Sequence, residues 1–240
     1  MLQKTRGIAL KVTNYAESSV VTQVFTEEFG LQSYLVNGAR KPKAKIRANI
    51  LQPFHVLDMV VYHKDNNSLQ RISEARQSPI LQEIPYDIVK SSLAMFLNEV
   101  LFKVLKQQSE DRYLFQFLVD SIYWLDHSQA NLANYHIVFL LKLTEYLGFS
   151  PALPVQPLPY FDLEAGLFTH QLPPHMYVLQ EPHASMFTYF LSSSYDNSCK
   201  LRISGEDRQI LLENILNYYR LHLTNFGEVK SLYILEEIFK

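Results

Sequence analysis

One cysteine, Cys199, stands in the whole chain of 240 residues. It excludes an internal disulfide and any multi-cysteine zinc site, and it makes a cytoplasmic compartment the expectation. Seven glycines leave no glycine-rich phosphate cradle, and no Walker-type loop is present. Gly-x-Ser-x-Gly and His-Glu-x-x-His are absent too, so nothing local argues for a nucleophile elbow or a zincin helix. No apolar run approaches the roughly 18 residues of a membrane span. Lys4 and Arg6 are followed by no apolar core with a small-residue cleavage site, so no signal peptide is expected. Internal repeats and low-complexity segments are missing as well. At 48% hydrophobic and 19% charged, this is the composition of a folded, soluble chain. Its length suits one large domain or two to three small ones.

What is present is charge, unevenly placed. Residues 1–80 hold 11 Lys+Arg against 6 Asp+Glu, and residues 81–240 hold 11 against 18. A basic front third joined to an acidic remainder points to one surface for a polyanion and another for a different partner; chance patterning is the alternative. The excess concentrates in Gly38-Ala39-Arg40-Lys41-Pro42-Lys43-Ala44-Lys45-Ile46-Arg47, five cations without an acid. Mutual repulsion disfavours holding Arg40, Lys41, Lys43, Lys45 and Arg47 together without an anion. A phosphate backbone is the natural counter-charge, and a merely solvated loop is the plainer reading.

The loop falls between strand-like runs. Ile8, Leu10 and Val12 alternate with Ala9, Lys11 and Thr13, a period of two. Ser19 to Thr26 is rich in β-branched residues, Leu31 to Val36 continues after a turn at Glu28-Phe29-Gly30, and Ile50 to Tyr62 reads as a fourth strand broken or bulged at Pro53. Asp65-Asn66-Asn67-Ser68 is a turn, and Leu69 to Ala75 a fifth strand. Five short strands with almost no helix signal predict a small closed OB-like barrel. Tyr15, Phe25, Phe29, Tyr34, Phe54 and Tyr62 lie in this region, either as barrel core or as a surface on which bases stack.

Near Pro79 the period changes. Helices are predicted from Pro85 to Val104, from Asp111 to Asp126 and from Asn131 to Leu147, the last stopped by Gly148, and their amphipathic stripes predict a bundle. Residues 150–182 hold seven prolines and cannot form one helix; Phe161 to Phe168 reads as a hairpin turning at Glu164 to Gly166. Helices resume near Ala184, from Ser204 to Thr224 and from Val229 to Phe239, with Ser204-Gly205-Glu206-Asp207 as an N-terminal cap.

Few residues carry catalytic chemistry. Glu145, Asp207, Glu213, Glu236 and Glu237 read as solvated helix faces. Glu99, among Leu97, Val100 and Leu101, requires a cation or backbone partner. His170, His175 and His183, with Asp162 nearby, have spacings that fit no compact metal-ligand pattern, so no metal ligand is assigned and no cofactor is expected.

Several motifs resemble the RecO family of bacterial recombination mediators. They are Gly7-Ile8-Ala9-Leu10, Tyr15-Ala16-Glu17-Ser18, Phe25 to Leu31, Gly38-Ala39-Arg40-Lys41 and Leu51-Gln52-Pro53-Phe54, with Leu143 to Pro151 and Lys230-Ser231 further on. The likeness keeps its order along the whole chain, strongly over residues 7–54 and loosely after 150. It implies an N-terminal OB-fold and a helical C-terminal domain. It implies binding to single- and double-stranded DNA and annealing of complementary strands. It also implies partnership with RecR and with the acidic C-terminal tail of single-strand-binding protein, together loading the RecA recombinase during gap repair. Many members of that family carry four zinc-binding cysteines in the segment matching Val155 to Tyr177, which has none here; a metal-free hairpin is expected in its place.

The sequence therefore predicts an α+β multidomain protein. An OB-like DNA-binding barrel spans 1–78, and an α-helical domain spans 83–240 with a proline-rich, zinc-free lobe at 150–182. A non-enzymatic DNA-binding mediator, cytoplasmic and nucleoid-associated with no membrane partner, is the leading reading. Arg40, Lys41, Lys43, Lys45 and Arg47 are its candidate DNA contacts. If all five met single-stranded DNA, log K would fall with log salt at a slope of about −3.5. An RNA-binding OB protein and a metal-dependent nuclease or hydrolase are the rival readings.

Overall fold

The first strand, β1 (Leu2–Tyr15), is long enough to serve two neighbours. Its first half pairs antiparallel with β4 (Val56–Tyr62), and its second half with β2 (Ser19–Thr26). In turn β2 pairs with β3 (Gly30–Val36), β3 runs parallel to β5 (Gln70–Gln77) at Tyr34 and Leu35, and β5 returns antiparallel to β4. The order β1-β2-β3-β5-β4 closes on itself, giving the OB-like five-stranded barrel that the strand pattern predicts. This is a computed structural model, and it describes residues 1–64 and 69–239; the turn expected at Asp65 to Ser68 lies outside the described residues.

Gly7 stands where β1 changes partners, opposite Thr26 on one side and Leu57 on the other. A Cβ there would sit inside the van der Waals shells of Val24 Cγ1 and Met59 Cε, so the close approach of three strands requires glycine. The register then shifts between Ala9 and Lys11, a β-bulge. Ala9 and Val12 consequently pack on the barrel core with Val20, Val24, Tyr34, Leu57 and Val61. Ile8 and Leu10 are buried outside that cluster. The uninterrupted alternation read from Ile8 to Val12 is corrected by this extra residue. The predicted fourth strand is corrected as well. Ala48–Leu51 is a 3₁₀ turn, Pro53 lies in the connection, and pairing begins only at Val56.

By Cα packing, residues 1–128 with 229–231 form one compact unit, and residues 129–228 with 232–240 another. The first contains the barrel, α1 (Ile88–Val104) and α2 (Arg112–His127). Asp87 caps α1 through the Lys90 amide at 2.8 Å, and Asp111 caps α2 through the amides of Tyr113 and Leu114. The link between barrel and α1 is pinned by Asp126, a fully buried carboxylate that accepts amides from Gln82, Glu83 and Ile84 at 2.8–3.0 Å. Beside it, buried Lys90 pairs with Glu83 and donates to the Asp126 carbonyl, so neither buried charge is left uncompensated. Against β1, Asn98 Nδ2 donates to the Leu10 carbonyl at 2.9 Å.

In the second unit α3 (Tyr135–Leu147) packs on α4 (His183–Leu191), α5 (Tyr195–Ser198) and α6 (Gly205–His222). The three stripes read as one bundle are thus divided between the units. Gly148 ends α3 with φ of 81°, the left-handed stop its position predicts. The proline-rich lobe holds the expected hairpin, β6 (Tyr160–Asp162) and β7 (Leu167–Thr169), together with β8 (Val178–Gln180), a third strand the sequence pattern did not reveal. Phe161 anchors it, with its ring 4.5 Å from Phe187 and 4.8 Å from Phe168. Ser204 caps α6 through the Asp207 amide at 3.0 Å, as predicted. A last short helix, α7, spans Leu232–Ile238.

Candidate nucleic-acid interface

The chain leaves β3 at Val36 and turns at Gly38, whose φ is +67°. From there two side chains fix the loop to the barrel: Ala39 and Ile46 are both buried in its core cluster. The neck is closed by the Ala48 amide on the Ala39 carbonyl at 3.0 Å. Inside it, Lys41 N bonds Gly38 O and Ala44 N bonds Lys41 O, two successive turns at 3.0 and 3.1 Å. With its apolar residues turned inward, the loop leaves Arg40, Lys41, Lys43, Lys45 and Arg47 all exposed.

The five cations are not equivalent. Lys41, Lys43 and Arg47 have no ion pair among the described residues. Lys45 Nζ lies 3.1 Å from Glu74 Oε1 of β5, with the two side chains 71% and 62% exposed. Such a solvated pair contributes at most about 1 kcal/mol and yields readily to a stronger anion. Arg40 faces its own main chain. Its Nη2 donates to the carbonyls of Ala16 at 2.8 Å and Glu17 at 2.6 Å, and its amide to Ser18 at 3.0 Å.

Beside Lys45 the outer faces of β1, β4 and β5 form an open groove of about 820 Å³. It is lined by cations and acids in register. Arg6 stands opposite Asp58, and Asp58 opposite Arg76, whose guanidinium meets the carboxylate at 3.0 and 3.2 Å. Arg6 also forks onto Glu27 at 2.7 and 2.9 Å, and this bonding holds the Glu27 carboxyl below its ordinary range. Arg112 of α2 grips Glu28 at 2.6 and 2.8 Å. The groove is therefore largely neutralised by its own pairs, whereas the adjoining loop keeps uncompensated positive charge. That contrast favours the loop, not the groove, as the place where a polyanion gains most.

Of the aromatics in the barrel region, Phe25, Tyr34 and Phe54 are buried, and Phe25 lies against Phe115 of α2. Phe29 stacks on His63 at 3.9 Å. Tyr15 and Tyr62 are about half exposed, at 53% and 51%, and are the two available for stacking.

The remaining candidates resolve separately. Glu99 finds backbone partners, the amides of Lys230 and Ser231, together with the Ser231 hydroxyl. The three histidines go different ways: His183 to Asp207 at 3.0 Å, His175 to Asp162 at 3.3 Å, and His170 beside Gln156. Among the described residues no group of three or more His, Cys, Asp or Glu is placed to hold a metal ion. No helix among them is long and apolar enough to cross a membrane. The partners of Arg40 and Lys45 were missed in the sequence, because turn 16–18 and Glu74 are 22 to 29 residues away and strand pairing, β2 with β3 for the turn and β3 with β5 for Glu74, brings them near.

Residues 1–78 match the family model described as Recombination protein O N terminal, and residues 85–232 that described as Recombination protein O C terminal. Curated relatives align end to end. The DNA repair protein RecO of Azobacteroides pseudotrichonymphae genomovar. CFP2 is 33% identical over 240 residues, covering 100% of both chains. That of Bacteroides fragilis is 36% identical over 241 residues, again with 100% of both covered. That of Flavobacterium psychrophilum is 34% identical over 238 residues, with 98% of each covered.

Proposed function

The chain belongs to the RecO family of DNA repair proteins, and from that premise we propose that it is a non-enzymatic mediator that binds single- and double-stranded DNA and anneals complementary strands. The observation that carries this reading is the exposed loop at 40–47, whose free cations are held outward by the buried side chains of Ala39 and Ile46. Lys41, Lys43 and Arg47 neutralise phosphates first. Lys45 joins them when a phosphate displaces Glu74. Contacts of this kind bind without reading sequence, which suits a protein that must pair any two complementary strands.

In this account the barrel at 1–78 serves DNA, and the helical remainder at 83–240, more acidic overall, serves protein partners. Those partners are RecR and the acidic tail of single-strand-binding protein, and the joint outcome is delivery of RecA onto coated single strands. The site of action is the cytoplasm, at the nucleoid.

Fluorescence anisotropy with labelled oligonucleotides tests the reading, alongside annealing of two complementary strands followed by gel. The reading expects binding to both single and double strands, and annealing faster than the spontaneous rate without any divalent ion. RNA of the same sequence bound far more tightly than DNA would favour an RNA-binding role. Metal-dependent cleavage of the labelled strand would replace mediation by catalysis.

A further inference from the structure

We propose that Arg40 is the positioning residue of this interface: it straps the basic loop to the β1–β2 turn so that Lys41 and Lys43 are presented to phosphates. The proposal rests on the reading of the loop as the polyanion contact, and it divides the labour within it. Three consecutive carbonyls, those of Ala16, Glu17 and Ser18, point at this one residue and are met by its side chain and its amide. Ala16 has φ of +50°, a left-handed conformation uncommon for a residue with a Cβ, and this tight turn brings those carbonyls together. A further bond joins the same two segments, from the Gly38 amide to Ser19 Oγ at 3.4 Å.

The contrast with neighbouring arginines sharpens the assignment. Arg6, Arg76 and Arg112 direct their donors at carboxylates, which any phosphate could imitate. Arg40 directs its own at main-chain oxygens of the turn that faces the loop. A guanidinium, planar and with several donors in fixed directions, spans two carbonyls at once. An ammonium keeps the charge but not that span. Lys41 follows directly in sequence, and its stem lies against Gly38, so displacement of residue 40 moves the first free cation of the loop.

The strap and a phosphate contact predict different outcomes for the same two variants. Single-stranded DNA affinity is measured between about 50 and 200 mM salt for wild type, Arg40→Lys and Arg40→Ala, with the triple variant K41A/K43A/R47A as reference. The strap predicts that both Arg40 variants weaken binding to a similar degree, about five- to tenfold. It also predicts that both leave the slope of log K against log salt unchanged, while the triple variant flattens it by about 2 units. Rescue by Arg40→Lys, with a slope about 0.7 shallower only in Arg40→Ala, would make Arg40 a phosphate ligand and overturn the strap alone. Wild-type affinity in both Arg40 variants overturns it too. A triple variant with an unchanged slope would remove the loop as the contact, and the strap with it. Thermal melts of the Arg40 variants within a few degrees of wild type accompany the expected result, since the side chain is exposed.

Discussion

Glu99 Oε2 accepts both the amide of Ser231, at 2.8 Å, and its hydroxyl, at 2.7 Å, across 132 residues of chain. Glu99 Oε1 takes the Lys230 amide at 2.9 Å, so one carboxylate of α1 holds the segment 229–231 within the first compact unit. Replacing Glu99 by Ala strands these donors and is expected to cost about 2–3 kcal/mol, read as a lower denaturant midpoint. Burial pushes this carboxyl up, but the Ser231 hydroxyl, the two amides and Lys103 outweigh it and hold it below its ordinary value. A depressed carboxylate stabilises the fold above its unfolded value and stops doing so as acid protonates it. The contribution is therefore intact at neutral pH and fades below about pH 4. Glu99→Gln should remove that part of the acid sensitivity.

His136 acts at milder pH. It is fully buried in α3, where desolvation, aided by the Arg208 charge, lowers its pKa to about 3. The unfolded chain takes up this proton near pH 6.5 and the folded chain does not, so stability falls as pH drops from about 6.5. Wild type should lose about 1 kcal/mol per pH unit from this one group, measured by urea unfolding at pH 7.5, 6.5 and 5.5. His136→Gln, whatever it does to stability at pH 7.5, should flatten that slope.

Asp126 controls the junction between barrel and helices. Burial raises its carboxyl, and the amides of Gln82, Ile84 and Glu83 more than reverse the effect. Asp126→Ala leaves three buried amides without their acceptor, while the Lys90 bond to the carbonyl of residue 126 remains, and about 3 kcal/mol or more should be lost. Hydrogen exchange at residues 82–84 should accelerate before exchange in the barrel strands does.

Glu74 is expected to restrain DNA binding. Glu74→Gln removes the carboxylate that a phosphate otherwise has to displace from Lys45, so single-stranded DNA should bind more tightly, with the slope little changed because the same phosphates are neutralised. Unaltered affinity in anisotropy titrations at low salt would show that Lys45 takes no part.

The barrel was legible because short apolar and β-branched runs are separated by turn residues. The helices of the second half were legible because apolar residues recur at helical spacing, with Gly148 marking one end and Ser204 one start. What escaped depends on contacts that pattern does not encode. The bulge after Ala9 moves Val12 onto the core face without any change in residue type. β8 is three residues long and exists only because β6 offers it an edge. The loop cations were visible as a cluster, but their separate roles were not, since the partners of Arg40 and Lys45 arrive from β-turn and β5 positions far along the chain. Glu99 was recognised as needing a partner from its apolar neighbours alone; which partner required the return of the chain at Ser231.

The salt dependence of single-stranded DNA binding tests the central claim most directly. With Lys41, Lys43 and Arg47 as the free contacts, the wild-type slope of log K against log salt should be at least about −2, and the K41A/K43A/R47A variant should lose about 2 units of it. A variant that binds with the wild-type slope would contradict the account, and the polyanion would have to be sought on another face.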